Sequence, residues 1–147
     1  MIRHANKFDI PQIFEMLRHY RDAGIIAGVD DVNDEQTPLK IMTHILAGAG
    51  IALVSEKNDK LTGMLLAIKT PLLWDMNKFV MHEIAYWVEP NDRNTSTGYR
   101  LISEYTELCK EMVDMKQITR YTITQLEGQS LDYGRFGLKP IEHTWSS

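Results

Sequence analysis

Apolar residues near the start of the chain recur at helical spacing. Ile10, Ile13, Phe14, Leu17 and Tyr20 form one stripe, while Gln12, Glu15, Arg18 and Arg21 fall mostly outside it, so the pattern predicts a helix with one buried face. Asp9 as N-cap, Pro11 in the first turn and Gln12 three residues after the cap mark its start, and Gly24 ends it. A short strand, Ile2–Ala5, precedes it. Ile25–Thr37, rich in Gly and Asp, reads as a surface connection, after which Pro38 opens a shorter helix to about Leu46, closed by Gly48-Ala49-Gly50. The period then changes. Ile51–Glu56 and Leu61–Thr70 read as antiparallel strands joined by a turn of hairpin length, Lys57-Asn58-Asp59-Lys60. Met81–Glu89, ended by Pro90, and Ile118–Leu126 are further strands. Between them Leu101, Ile102, Tyr105, Leu108, Cys109 and Met112 mark the buried side of a long helix from about Thr97 to Met115, and strand, helix, strand implies a parallel crossover. A short helix near Gln129–Phe136 leads through Gly137 to a last strand at Pro140–Trp145. The order β-α-α-β-β-β-α-β-α-β describes an α/β (α+β) fold, with a mixed, mainly antiparallel central sheet and flanking helices.

With 147 residues, 44% hydrophobic and 24% charged, the chain fits one globular domain spanning 1–147, and no repeat or second domain boundary interrupts it. The longest apolar runs, Ile51–Val54 and Met64–Ile68, fall far short of the roughly 20 residues that cross a bilayer. The N-terminus lacks the charged, apolar and small-residue succession of a signal peptide, and the single cysteine, Cys109, cannot form an internal disulfide. Both features lead to the expectation of a cytoplasmic protein. Cys109 falls on the apolar side of its helix and is expected in the core rather than as a nucleophile. No two of the five histidines have the spacing of paired metal ligands on one helix face. The net charge of −4, without a basic stripe, gives no support to a nucleic-acid interface.

One loop carries candidate chemistry. Asn94-Thr95-Ser96-Thr97 runs into the long helix, where unpaired N–H groups and the helix dipole suit a diphosphate, with Arg93 adding a direct charge. The same residue types are what any helix N-cap prefers, and that reading stands beside the first.

Three stretches resemble the GCN5-related N-acetyltransferases. Ile2-Arg3-His4-Ala5 followed by Asp9-Ile10-Pro11-Gln12-Ile13 is similar to the family's first strand and helix start. Glu83–Arg93 and Asn94–Leu101 resemble its cofactor motif, a strand ending in Val-x-Pro, then Arg-Gly-x-Gly-x-Gly/Ala and an amphipathic helix. Val88, Pro90, Arg93 and Gly98 match, while Asn94 and Ser96 replace two of the usual glycines. Leu131-Asp132-Tyr133-Gly134-Arg135-Phe136-Gly137-Leu138-Lys139-Pro140 is similar to the family's Leu-Tyr-x-x-x-Gly-Phe-Lys-Pro segment. The resemblance implies the acyl-CoA N-acyltransferase fold and transfer of an acetyl (acyl) group from acetyl-CoA to an amine, by direct attack in a ternary complex.

It also implies roles. Coenzyme A would lie along Trp87, Val88, Arg93, Asn94, Thr95, Ser96, Thr97, Gly98 and Tyr99, with main-chain amides of Trp87–Glu89 offered to the pantetheine and the thioester oxygen. Tyr133 stands where the family has the tyrosine that protonates the departing sulfur; packing is its other reading. Glu83 stands where some members carry a general base. Strand alternation sets it on the face of Ala85 and Trp87, an apolar setting that raises a carboxyl pKa, whereas a solvated carboxylate is the plainer alternative. His82 points to the other face. The acidic run Asp30-Asp31-Val32-Asn33-Asp34-Glu35 lies where the family shapes its acceptor pocket, and would favour a cationic amine if it is more than a solvated loop. Trp74, within Pro71–Phe79, belongs to an insertion-like segment that could cover that pocket. The expected partner is a small-molecule or protein amine, for a monomer or homodimer with neither nucleic acid nor membrane. Two other readings remain: an inactive module of this fold that binds or inhibits a protein, and an acyltransferase-like enzyme acting on nucleic-acid bases, which the acidic balance opposes.

Overall fold

The computed structural model describes residues 1–24, 34–125 and 131–147. Most of the connection expected over Ile25–Thr37, including Asp30, Asp31, Val32 and Asn33, lies outside the described residues, as do the end of the strand expected to Leu126 and the start of the helix expected from Gln129.

Strand β1 (Ile2–His4) leads through a tight turn into α1 (Ile10–Asp22), and α2 (Gln36–His44) follows. Then come β2 (Gly50–Lys57), β3 (Lys60–Leu72), β4 (Asp75–Val88), α3 (Thr97–Asp114) and β5 (Arg120–Thr122). They form one sheet in the order β1-β2-β3-β4-β5, antiparallel except for the β4/β5 pair, which is parallel and connected through α3 as the crossover requires. The β2–β3 turn is made by Asn58 and Asp59, both at positive φ (53° and 60°), which their short polar side chains tolerate. Two apolar layers follow from strand alternation. Ala52, Val54, Met64, Leu66, Ala85 and Trp87 face α1 and α2, packing with Ile13, Met16 and Met42. Ile51, Leu53, Leu65, Ala67, Met81 and Val88 face α3, against Leu101, Ile102, Tyr105 and Cys109.

The start of α1 departs from expectation. Asp9 sits at the N-cap position, yet its carboxylate makes no cap bond. It accepts from the Asn6 N–H at 2.8 Å and from both terminal nitrogens of Arg3 at 2.8 Å, while Arg3 Nε donates to Glu56 at 2.9 Å. The carboxylate is taken up by the Arg3 cation and by the capping box of the preceding turn, in which Asn6 is the cap. Gln12 is turned away too, accepting from the Leu61 N–H at 2.9 Å and so tying α1 to β3.

Two further departures concern lengths. Pro71–Phe79 is not a separate insertion: β3 and β4 run on into it as a two-stranded arm, with Trp74 at its tip 87% exposed. At the C-terminal end, the described part of the helix expected to Phe136 holds a 3-10 turn over Tyr133–Phe136, and Pro140–Trp145 forms no strand. A strand needs a neighbour to complete its hydrogen bonds, and no described segment pairs with this one.

Candidate active site

Strands β4 and β5 are paired only over Val80–His82 and Arg120–Thr122, and part beyond that point. The departing chain is tied down by side chains. His82 Nδ1 lies 2.7 Å from Thr122 Oγ1, and the Tyr105 hydroxyl donates to Thr122 O at 2.8 Å. The Thr124 N–H donates to Glu83 Oε2 at 3.1 Å, and the Tyr133 hydroxyl to Thr124 O at 3.4 Å.

At this point β4 carries a β-bulge. Leu66 pairs with Ala85 and the next residue, Ala67, with Glu83, so Ile84 is one residue too many. The bulge reverses the alternation. Glu83 therefore shares the α3 side with Ala67 and Met81, not the side of Ala85 and Trp87 on which regular alternation would set it. The expected pKa rise is present from this other side: burial, opposed only by the bonds from Thr124, pushes the Glu83 carboxyl up to about 7. Burial first, and then the Glu83 charge, also raises Tyr20, Tyr86 and Tyr133, so these three phenols and the carboxyl form one electrostatic group. Cys109 is buried, with its thiol pushed up to about 12 by burial, which suits the core position expected of it.

Beyond Val88 the chain makes a 3-10 turn, Pro90–Asp92, and enters α3. Several loop amides are used internally: Asp92 N–H to Glu89 O (2.9 Å), Arg93 N–H to Pro90 O (3.4 Å), Thr95 N–H to Asp92 O (3.3 Å) and Thr97 N–H to Thr95 Oγ1 (3.3 Å). The N–H groups of Asn94, Ser96, Gly98 and Tyr99 have no acceptor among the described residues. Thr95 thus does the capping work, while Ser96, at the N-cap position, makes no side-chain cap bond. Asn94 and Ser96 are exposed. Gly98 answers to close approach: a Cβ there would run into the Tyr86 hydroxyl, which reaches up from β4 under the first turn of α3.

Arg93 is braced by two contacts. Its Nε donates to Val88 O at 2.9 Å, and its guanidinium stacks over the Trp87 ring with the carbon 4.5 Å from the ring centre. Trp87 faces the α1 layer and also meets Tyr20 edge to face, with ring centres 5.9 Å apart. Of the amides in Trp87–Glu89, that of Glu89 is bonded to Thr62 O on β3 at 2.8 Å. Alternation along an antiparallel strand then turns Trp87 to β3 as well, and Val88 and Tyr86 to the open side. Of the acidic run, Asp34 accepts from Gln36 N–H and Thr37 Oγ1, and Glu35 pairs with Arg18 at 3.0 Å. Glu83 and Tyr133 are brought to one place, both bonded to Thr124, and the loop Asn94–Tyr99 stands beside them, with the Arg93 guanidinium over the Trp87 ring. Sequence reasoning passed over Tyr86 and Tyr20; the alternation Tyr86, Val88 was the available signal for the first.

The architecture is the acyl-CoA N-acyltransferase fold, that of the GCN5-related N-acetyltransferases. Among solved structures, the chain is similar to an aminoglycoside acetyltransferase from an uncultured soil metagenomic sample (TM-score 0.72, 14% identity, all of this chain and 95% of that one). It is similar also to glucosamine-6-phosphate N-acetyltransferase from Arabidopsis thaliana (TM-score 0.70, 14% identity, 100% and 96% covered). A third is a predicted acetyltransferase with acetyl-CoA from Clostridium acetobutylicum (TM-score 0.72, 13% identity, 100% and 94% covered). No family model matches the chain, and no curated protein matches it in sequence. Among the described residues no helix is long and apolar enough to cross a membrane.

Proposed function

We propose that the protein is an acyl-CoA-dependent N-acyltransferase that transfers an acetyl group from acetyl-CoA to an amine by direct attack in a ternary complex. The observation that carries this reading is the set of open N–H groups of Asn94, Ser96, Gly98 and Tyr99 at the start of the 18-residue helix α3, beside two parting strands. Four donors at the positive end of a helix fit a diphosphate. The names of similar structures agree: one holds acetyl-CoA, and two are named for amine acceptors.

Coenzyme A supplies the acyl group as an activated thioester. The residues Asn94, Thr95, Ser96, Thr97, Gly98 and Tyr99 hold its diphosphate, and the outward-facing amides of Tyr86 and Val88 receive the pantetheine arm and the thioester oxygen. Glu83, with a pKa near neutrality, takes the proton that the attacking amine loses as the C–N bond forms. Tyr133, kept protonated by its raised pKa, returns a proton to the sulfur as the C–S bond breaks. Calorimetric titration with coenzyme A, and release of free thiol from acetyl-CoA in the presence of an amine panel, test the proposal together. A protein that takes up no coenzyme A is not a transferase, and is left with the role of a binding module.

A further inference from the structure

The point where β4 and β5 part is secured by side chains as well as by the sheet. Strand β5 is three residues long and pairs with β4 only through Arg120, Tyr121 and Thr122, so the backbone ladder gives its last residue little support. Thr122 is gripped twice. His82, its opposite number on β4, places Nδ1 2.7 Å from Thr122 Oγ1, and the Tyr105 hydroxyl donates from α3 to Thr122 O at 2.8 Å. Two residues further on, the Thr124 N–H meets Glu83 Oε2 at 3.1 Å, near the long end of the range for such a bond. Thr122 and Thr124 are joined by two rigid peptide units, at most about 7 Å of chain, so a displacement of half an ångström or so at the first is passed to the second and lengthens that bond beyond its useful range. Glu83 follows His82 directly and stands just before the surplus residue Ile84, so the clasp and the carboxyl it serves share one stretch of β4.

We infer that His82 and Thr122 are positioning residues: their bond, with Tyr105 on the Thr122 carbonyl, fixes the course of the chain as it leaves the sheet and so holds the Thr124 N–H on the Glu83 carboxyl that takes the proton of the amine. The inference rests on the transferase reading. Its chemical consequence follows from what opposes burial at Glu83, namely the bonds from Thr124, which favour the charged form. The other groups that sense the Glu83 charge are phenols and not cations: Tyr20 from α1, Tyr86 from β4, Tyr105 from α3 and Tyr133 from the C-terminal turn. Loosening the clasp therefore leaves burial unopposed, and the base becomes harder to ionise.

The test reads the carboxyl directly, by NMR titration of the full-length protein labelled at its glutamate carboxyl carbons, with Glu83→Gln to assign the signal, beside steady-state rates with acetyl-CoA and an amine. His82→Ala and Thr122→Val should each move the Glu83 midpoint upward from about 7 by about one pH unit. That leaves roughly fivefold less carboxylate at pH 7 and should lower kcat there by at least as much, with the KM for acetyl-CoA unchanged. Thr122→Val removes the bond without removing a titratable group, so its effect is not that of a lost imidazole charge. Asparagine offers a polar atom at the place of Nδ1 and serine keeps the hydroxyl, so His82→Asn and Thr122→Ser should restore midpoint and rate. Both alanine and valine changes break one bond, so the double variant should be no worse than either single. A midpoint that stays in place in His82→Ala and Thr122→Val, or a loss that the conservative variants share, overturns the inference and leaves the transferase reading intact. A parent protein that releases no thiol from acetyl-CoA removes both readings.

Discussion

Replacing Glu83 by Gln tests the electrostatics of the site directly. The Gln side chain keeps a carbonyl oxygen for the Thr124 N–H, so the tie across the gap survives and only the ionisation is lost. Burial raises the Glu83 pKa from 4.5 to about 7, so the folded protein holds this proton more tightly than the unfolded chain. Where the native state binds more protons, stability falls as pH rises. The penalty is therefore absent well below the unfolded value, develops between about 4.5 and 7, and is complete above that. At about 1.4 kcal/mol per pKa unit it amounts to about 3 kcal/mol. Glu83→Gln should then be more stable than the parent at pH 8 by about that amount, with a Tm higher by roughly 6–12 °C for a domain of this size. Most of the difference should be gone at pH 4.5. Thermal unfolding of both proteins at the two pH values measures it. A Tm difference that is the same at both would show that the carboxyl titrates normally, and the argument for a base tuned to neutrality would fall with it.

The same variant should lose about 10²–10⁴ in turnover, and the parent's rate should rise with pH through about 7. Tyr133→Phe should lower kcat while leaving coenzyme A affinity nearly unchanged; equal losses in both, measured by calorimetry beside steady-state rates, would mark a packing role. Arg3→Ala strands the buried carboxylate of Asp9 and should cost about 3 kcal/mol at neutral pH by urea titration. Because the bonds from Arg3 hold the Asp9 pKa below its ordinary value, that contribution is present above about 3.8 and is lost as pH falls through the folded value, so parent and variant should converge in acid. Gly98→Ala forces the Tyr86 hydroxyl aside at a cost of about 1–3 kcal/mol, and Tyr86→Phe, by removing the oxygen, should restore most of it in the double variant.

Much of the fold was legible because its signals are local. The stripe of α1, the hairpin turn at Asn58-Asp59 and the amphipathic face of α3 each lie within one stretch of chain, and each is found where its pattern put it. The site was legible only by type. Glu83, Tyr133 and the loop into α3 could be picked out, but the side to which Glu83 turns depends on a bulge defined by β3, which no reading of β4 alone contains. How Arg93 is braced was hidden for a related reason: its contacts, the Trp87 ring and Val88 O, depend on the turn after β4 and not on a local pattern. The expected last strand failed because alternation in Pro140–Trp145 says that a strand is possible, not that a neighbour exists to receive it.

The surplus residue at Ile84 sets a rule of its own for this strand. Ile84 is exposed, and its side chain can be exchanged at small cost. Its removal is another matter, because closing the strand by one residue would turn either Val80–Glu83 or Ala85–Val88 inside out and send Met81 or Trp87 into the wrong layer. What this position requires is a unit of length, and substitution scans that sample only side chains would pass over it while a single-codon deletion would not.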